Sequence, residues 1–534
     1  MPYGYQGKIL RVNLSDSAIT IEEPGDNFYR SYLGGRSVIA YYLLKETQPG
    51  IDPLGPENVL IMAGGPVTGV PIGGAGRNSV GAKSPLTDGF RDAEVGGWFG
   101  AAFKHAGFDA VVFTGKADKP VYLVVHDGEV ELRDAGQIWG KATADAAKAL
   151  RDELGVGRVR TAMIGPGGER MVRFASVMND INRAAGRAGV GAVMGSKNLK
   201  AVVAYGGKAP EVAEPEKVQE LAKWMVQNYM EGAKALHELG TANVLGYLNA
   251  MGGLPTRNFR QGVFEGANDI SGETMKSTIF LSPDTCYGCP VACKRVVKVD
   301  EPYKVDPLYG GPEYETLGAL GSLCGVNDLK AIARGNELCN ATGLDTISTG
   351  SAIAFAMECC EAGLLSAKDT GGLDLRFGNA DAMLKAIERI AKREGIGDLL
   401  AEGPARAAQQ IGGGAAKLAM HVKGQPMPMH EPRFKQGMGV GYAVAAQGAD
   451  HNQSIHDTGY RRPGPGLADV NAMGVFEPMA LDDIGPGKMR LFTYQQHFEA
   501  ARNCLVMCMF VPWKHQQTAD ILQAVTGWNT NLWE

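Results

Sequence analysis

The sequence predicts an α+β protein, with a β-rich N-terminal domain and two mainly α-helical domains after it. Three observations predict this. Short apolar stretches separated by glycine runs fill the first 210 residues, a Pro-, Gly- and charge-rich stretch follows, and beyond it the apolar spacing becomes helical. A chain of 534 residues is also too long for one core and should divide into two or three.

Taken in order, KILRVNL (8–14), NVLIMAG (58–64), DAVVFTG (109–115) and VYLVVHDGEVELRDA (121–135) are β-rich and bounded by turn formers. The last alternates on both sides of HDG and predicts a hairpin. Together they predict an antiparallel β domain over residues 1–208. Glycine supplies 73 of the 534 residues, about twice the usual share. The runs LGGRS, MAGGPVTG, PIGGAGRNS, EVGGWFG and IGPGGER lie in this domain and bring its backbone close to something. YGGKAPEVAEPEK (205–217) reads as a linker. Helical apolar spacing then appears in EKVQELAKWMVQNYMEGAKALHEL, DTISTGSAIAFAMECCEAGLL and ADAMLKAIERIAKREGIGDLLAEG. A second break at QQIGGGAAK (409–417) separates helical domains at 209–412 and 413–534.

Composition excludes several classes. With 45% hydrophobic and 21% charged residues the usage is ordinary globular, and a net charge of -5 carries no nucleic-acid footprint. MPYGYQGKILRVNL lacks the regions of a signal peptide, and no apolar run is long enough to span a membrane. Nine cysteines are too dilute for a disulfide framework, and nine is odd. The expected compartment is a reducing cytoplasm, where clustered cysteines signal metal or redox chemistry.

The cluster is DTCYGCPVACKR, with Cys286, Cys289 and Cys293 at C-x-x-C-x-x-x-C spacing. Thiolates are soft ligands, and a structural zinc site would pair one knuckle with a second. Three cysteines in one turn-rich segment suit one face of an iron–sulfur cubane, which leaves a fourth ligand to find. Cys324, Cys339, Cys359 and Cys360 lie in apolar helical stretches and read as core residues. Cys504 and Cys508 are four apart in RNCLVMCMF and would share a helical face. A second pattern sets glycine beside arginine: Arg77 in GAGRNS, Arg183, Gly186 and Arg187 in NRAAGRAG, and Gly96 and Gly97 in EVGGWFG. Close backbone approach plus guanidinium charge suits a phosphate group. For proton chemistry, GGPEYET offers Glu313 and Glu315, and GADHNQSIHD offers His451 and His456.

Seven stretches in order, GGRSVIAYYLL, GRNSVGAKSPLTDGF, GGWFGAAFKHAGFDAVVFTGKA, RAAGRAGVGAVMGSKNLKAVV, CYGCPVACK, GGPEYETLGALGSLCG and GLDTISTG, give a resemblance along essentially the whole chain. The sequence resembles the aldehyde:ferredoxin oxidoreductase family of tungsten bis-pterin, iron–sulfur enzymes. The resemblance implies a tungsten held by two pterins (with molybdenum as the other metal such a site can take), a Mg2+ linking their phosphates, and a [4Fe–4S] cluster. It implies that Cys508 is the fourth cluster ligand, that backbone carbonyls at Glu94 and Ala184 hold Mg2+, and that two motifs contact the pterins. Those motifs stand here as Asn340–Asp345 and Asn503–Cys508, with Asn340 and Asn503 where the family has Asp. That exchange removes a charge and weakens those two contacts, while Asp345 is intact.

The resemblance further implies Glu315 as the catalytic base and His451 as the donor to the substrate oxygen. A small aldehyde would be oxidised to a carboxylic acid, and electrons would leave through the cluster to a ferredoxin or ferredoxin-like subunit. RGNE (334–337) stands where the family carries an E-x-x-H metal site between identical chains, so that site is not expected, although a homodimer fits the family. Family members continue past GWNTNLWE with a helical segment, so a further segment is expected. Two alternatives remain open: a tungstopterin subunit reducing aromatic-ring thioesters in a larger complex, and a non-catalytic iron–sulfur electron-transfer subunit.

Overall fold

A computed structural model describes residues 2–533. Twelve strands of the N-terminal region form two six-stranded sheets. The first contains β1 (Ile9–Asn13), β2 (Ala18–Glu22), β3 (Leu60–Ala63), β4 (Asn78–Lys83), β5 (Phe90–Val95) and β6 (Ala110–Thr114), in the order β2-β1-β6-β3-β4-β5. The second contains β7 (Val121–His126), β8 (Glu129–Asp134), β9 (Arg160–Met163), β10 (Val177–Asn179), β11 (Arg183–Ala185) and β12 (Leu199–Tyr205), in the order β11-β10-β9-β12-β7-β8.

The β-rich character of this region agrees with expectation, but its sheets are mixed. β1 pairs parallel with β6, and β7 parallel with β12. Parallel neighbours need a long crossover, and both intervals contain helices that supply one. Gly35–Glu46 and Phe99–His105 lie between β1 and β6, and Thr143–Leu154 and Val190–Ser196 between β7 and β12. The expected hairpin is β7–β8, and its turn residues Asp127 and Gly128 both have positive φ, as a tight primed turn requires.

Alternation along the strands builds the layers. Leu10, Leu60, Met62, Val111 and Phe113 of the first sheet meet Leu123, Val125, Val202 and Ala204 of the second in one core that also holds Phe99, Phe103, Val193 and Met194. The opposite face of the first sheet, through Ile9, Ile61 and Val112, is covered by Val38, Ile39 and Tyr42 of the helix Gly35–Glu46. Central strands are therefore apolar on both faces, which explains their nearly continuous hydrophobic sequences.

The helical region has its largest core around Leu329–Thr342, Thr346–Glu361 and Ala380–Lys392. Thr346–Glu361 is buried almost all round, as a central helix should be, and Asp345 caps it by accepting from the backbone N–H groups of Ile347 and Ser348. Cys324, Cys339 and Cys359 lie buried in this core. The core runs past Gly412–Gly414 to Ala415 and Met429. The end of the chain returns to the start: Leu505, Met507, Val511, Trp513 and Ile521 pack with Val67, Val70 and Ile72 and with the helix Pro215–Leu239. No helix among the described residues is long and apolar enough to cross a membrane.

One buried carboxylate organises the N-terminal loops. Asp109 accepts from the backbone N–H groups of Gln6 and Gly7 and from the Tyr29 hydroxyl, and pairs with the buried Lys104 ammonium. Removing one partner of such a pair strands the other charge and costs about 3–5 kcal/mol. Asp109→Ala should lower the thermal unfolding midpoint by several degrees, whereas Glu129→Ala at an exposed hairpin end should leave it unchanged; calorimetry on the two variants checks this.

Candidate active site and thiol cluster

A hairpin of β13 (Phe280–Asp284) and β14 (Lys294–Val297) carries the cysteine loop. Thr285 folds the loop by donating its hydroxyl to the Cys289 carbonyl at 2.7 Å, and Gly288 takes φ +64° over Ile72. Cys286, Cys289 and Cys293 line one small cavity together with Cys508, Arg77 and Arg183.

Cys508 reaches this cavity because the helix Pro486–Leu505 stops before it. Val506 caps the helix in the left-handed conformation, and the Cys508 N–H then donates to the Gly74 carbonyl at 3.1 Å. Cys504 and Cys508 therefore do not share a helical face, contrary to the expectation from their spacing. Cys504 stays on the helix, where burial raises its thiol and nearby Ser37 and Arg36 partly offset this. The difference comes from a chain reversal that spacing alone does not encode.

Burial opposes charge on both the sulfurs and the cations of the cavity. Burial pushes the Cys289 thiol up to about 12 and the Cys293 thiol well above its ordinary value. Burial works against the charges of Arg77 and Arg183, but the neighbouring sulfurs and carboxylates outweigh it and hold both guanidiniums above their usual range. Arg77 Nη1 lies 3.7 Å from Cys508 Sγ, and its Nε donates to Glu94 at 2.9 Å. Burial raises the Glu94 carboxyl to about 7 despite Arg77. The Gly97 N–H points at Cys286 Sγ from 3.2 Å, and a Cβ on Gly96 would sit 2.9 Å from that sulfur. These glycines are thus required by close approach.

The remaining Gly–Arg segment lies on β11 and just beyond it. Arg183 pairs with Asp284 at 3.1 Å, and Ala184 is in register with Met178 of β10. Gly186 is followed by Arg187, whose Nε lies 3.5 Å from Asp345. Asn340 sits inside the helix Leu329–Thr342 and donates to the Tyr309 carbonyl at 2.8 Å. Asn503 lies in the last turn of Pro486–Leu505. Not every glycine run faces the thiol cavity. Gly34, Gly35 and Gly65 approach the end of this helix, where a Cβ on Gly65 would lie 2.2 Å from the Leu505 carbonyl oxygen.

Glu315 is the middle residue of the short helical turn Tyr314–Thr316. Its Oε2 accepts from the Met429 N–H at 2.8 Å, while its buried Oε1 has no hydrogen-bond partner. Two imidazoles face that oxygen, with Nε2 of His430 at 3.3 Å and Nε2 of His451 at 3.7 Å. Glu313 turns away into an ion pair with Lys294 at 3.1 Å, and His456 faces the His451 carbonyl at 3.0 Å. The donor atoms of Glu315, His430 and His451 lie within 4.8 Å of one another. The Lys435 ammonium, 3.0 Å from the far nitrogen of His430, adds positive charge beside this group and so disfavours a cation there.

Sequence reasoning missed His430 and Arg91. His430 lies in QPMPMHEPRFK, a proline-rich loop, and a histidine in such a loop was the available signal. Arg91 is fully buried on β5 and donates to Gln447 at 2.8 Å and to Asp450, the residue before His451, at 3.2 Å. No signal marked it. Burial would raise the Asp450 carboxyl, but Arg91 overcomes this and holds it near 2. Arg91 Nε and Nη2, Arg187 Nη1, Glu94 Oε1, Asn78 Nδ2 and Asn179 Oδ1 are all buried without partners. So many stranded polar atoms are rare in a core, and together they fit a large polar guest between the sheets and the helical region.

Comparisons with known proteins agree with this arrangement. Residues 9–206 match the family model for the aldehyde ferredoxin oxidoreductase N-terminal domain, and residues 216–534 the one for domains 2 and 3. The chain belongs to the aldehyde ferredoxin oxidoreductase family. It is 42% identical to the tungsten-containing aldehyde ferredoxin oxidoreductase of Pyrococcus abyssi, over 99% of this chain and 85% of that one. It is 34% identical to the WOR-like subunit of an aliphatic sulfonate oxidoreductase from Pyrococcus furiosus, over 85% of this chain and 76% of the relative. Among solved structures, the active-site complex BamBC of benzoyl coenzyme A reductase with 1,5-dienoyl-CoA matches all of this chain and 86% of its own, with a TM-score of 0.84 and 25% identity.

The convergence of four thiols is testable without any metal. In the metal-free chain, a short bifunctional thiol reagent should join the peptide of Cys286–Cys293 to that of Cys508. The cross-link, read by peptide mass spectrometry, should vanish in Cys508→Ser and persist in Cys504→Ser.

Proposed function

We propose that this chain oxidises aldehydes to carboxylic acids at a tungsten bis-pterin centre and passes the electrons through a [4Fe–4S] cluster to a ferredoxin. One observation carries the reading: a buried carboxylate oxygen of Glu315, without a partner, faces two imidazoles. The relatives' names add the metal and the acceptor. When bound, the tungsten centre supplies the two-electron oxidation, and the cluster supplies one-electron exit.

The chain's own residues do the rest. Glu315, fixed by the Met429 N–H, accepts a proton as water or the hydrated aldehyde reacts. His451 directs Nε2–H at the aldehyde oxygen as negative charge develops there. Burial holds His430 and His456 well below the usual imidazole range, so both stay neutral. Cys286, Cys289, Cys293 and Cys508 would hold the cluster, with Arg77 and Arg183 balancing its charge. Arg77, Arg183 and Arg187, with Gly96, Gly97 and Gly186, would receive the pterin phosphates, helped by the stranded donors of Arg91 and Arg187. Asn340, Asp345 and Asn503 would approach the pterin rings, and carbonyls of Glu94 and Ala184 would hold Mg2+. A reducing cytoplasm suits the free thiols, and a homodimer is consistent with the family.

A second reading, reduction of an aromatic-ring thioester within a larger complex, draws on the TM-score of 0.84 to the benzoyl coenzyme A reductase complex. The 42% identity to an aldehyde enzyme favours the first reading. Purified holoprotein should oxidise a small aldehyde with a viologen or ferredoxin acceptor. Glu315→Gln should keep its tungsten and iron while losing about 10²-fold or more in rate. Unchanged turnover in the metal-replete variant would remove Glu315 as base. Iron analysis tests the thiols separately, with less iron per chain expected in Cys508→Ser and a full complement in Cys504→Ser.

A further inference from the structure

Lys435 is buried directly behind the acid–base group. Its Nζ lies 3.0 Å from Nδ1 of His430 and 3.4 Å from Nδ1 of His456. On the far side of the His430 ring, Nε2 faces Glu315 Oε1 at 3.3 Å. An ammonium only donates, so an imidazole nitrogen facing it must accept, and a neutral ring then carries its proton on the other nitrogen. We propose that Lys435 is a positioning residue: it fixes His430 as the Nε2–H tautomer and so aims an N–H at the carboxylate of Glu315. The Met429 N–H donates to Oε2, and Nε2 of His430, 3.3 Å from the otherwise unpartnered Oε1, is the nearest group that could donate to it. This rests on reading Glu315 as the base.

The surroundings fit this role. The groups facing Lys435 are His430 from its own loop, Glu315 from Tyr314–Thr316, and His456 and Asp457 from the following segment. Asp457 is already engaged, by the Lys488 ammonium at 2.8 Å and by the N–H groups of Gly437 and Met438. It therefore attracts Lys435 without replacing His430 as its partner. Burial lowers the Lys435 ammonium to about 8, with Asp457 and Glu315 pulling the other way. Below that pH the ammonium donates and the tautomer is fixed. Above it the neutral amine accepts as well as donates, so the His430 proton is no longer confined to Nε2 and part of the population presents no donor to Glu315 Oε1. The rate should therefore fall as pH rises through about 8.

The test uses holoenzyme with iron and tungsten measured in every variant. Lys435→Met should lower kcat/KM at least about ten-fold and abolish the alkaline fall. Lys435→Arg should keep the rate and move the fall to higher pH. In His430→Gln, the amide offers an N–H whatever Lys435 does, so adding Lys435→Met should then cost little. In histidine-labelled protein, the 15N shifts of His430 should place the proton on Nε2 in the wild type and distribute it over both nitrogens in Lys435→Met. An equal cost of Lys435→Met in both backgrounds, or an unchanged tautomer, would overturn the proposal. If Lys435→Met fails to load metal, Lys435→Arg with its shifted or unshifted pH profile decides. Glu315→Gln separates the two levels. Full activity there removes the base assignment itself, while a dead Glu315→Gln beside an unaffected Lys435→Met removes only the role of Lys435.

Discussion

Charge balance around Arg77 ties the two halves of the site together. Its guanidinium reaches Glu94 of the first sheet with one nitrogen and Cys508, 431 positions later, with another. A buried cation of this kind is stable only with anionic partners, and sulfur and carboxylate supply them. Burial raises the neighbouring Cys289 and Cys293 thiols even so, and their deprotonation would need positive charge beyond that of Arg77. Glycines at 74, 76, 96 and 97 bring the backbone within reach. A Cβ on Gly76 would lie 2.8 Å from the Gly97 carbonyl oxygen and 3.0 Å from the Tyr287 nitrogen.

The second constraint is a surplus of buried polarity. Arg91 and Arg187 each leave donors without partners, and Glu315 leaves an acceptor. A core that only had to fold would have filled or removed these groups, since each stranded one costs about 1–3 kcal/mol. They make sense as half of a set of interactions completed by a large, multiply charged cofactor. The rigid framework beneath them, two sheets with both faces covered, keeps the donors in place before the guest arrives.

Much of this was legible in the sequence. Apolar alternation placed the strands, and the cysteine spacing placed three neighbouring thiols on a turn-rich segment. Parallel pairing of β1 with β6 was not legible, because alternation shows which face is buried but not which strand lies alongside. The position of Cys508 outside its helix depends on one left-handed residue, Val506, whose side chain gives no hint of it. The glycine runs were ambiguous for a physical reason. Gly65 serves close packing against a helix end and Gly96 serves approach to a sulfur, and both demands select the same residue. His430 and Arg91 lay beyond local pattern, since their roles come from partners more than 100 positions away.

The most direct measurement of the central claim is the cofactor content of Arg77→Met holoprotein, taken as iron, tungsten and pterin per folded chain. If Arg77 joins the thiol cavity to the phosphate cradle, iron and pterin should fall together while circular dichroism remains that of the wild type. Wild-type levels of both in the folded variant would contradict the account.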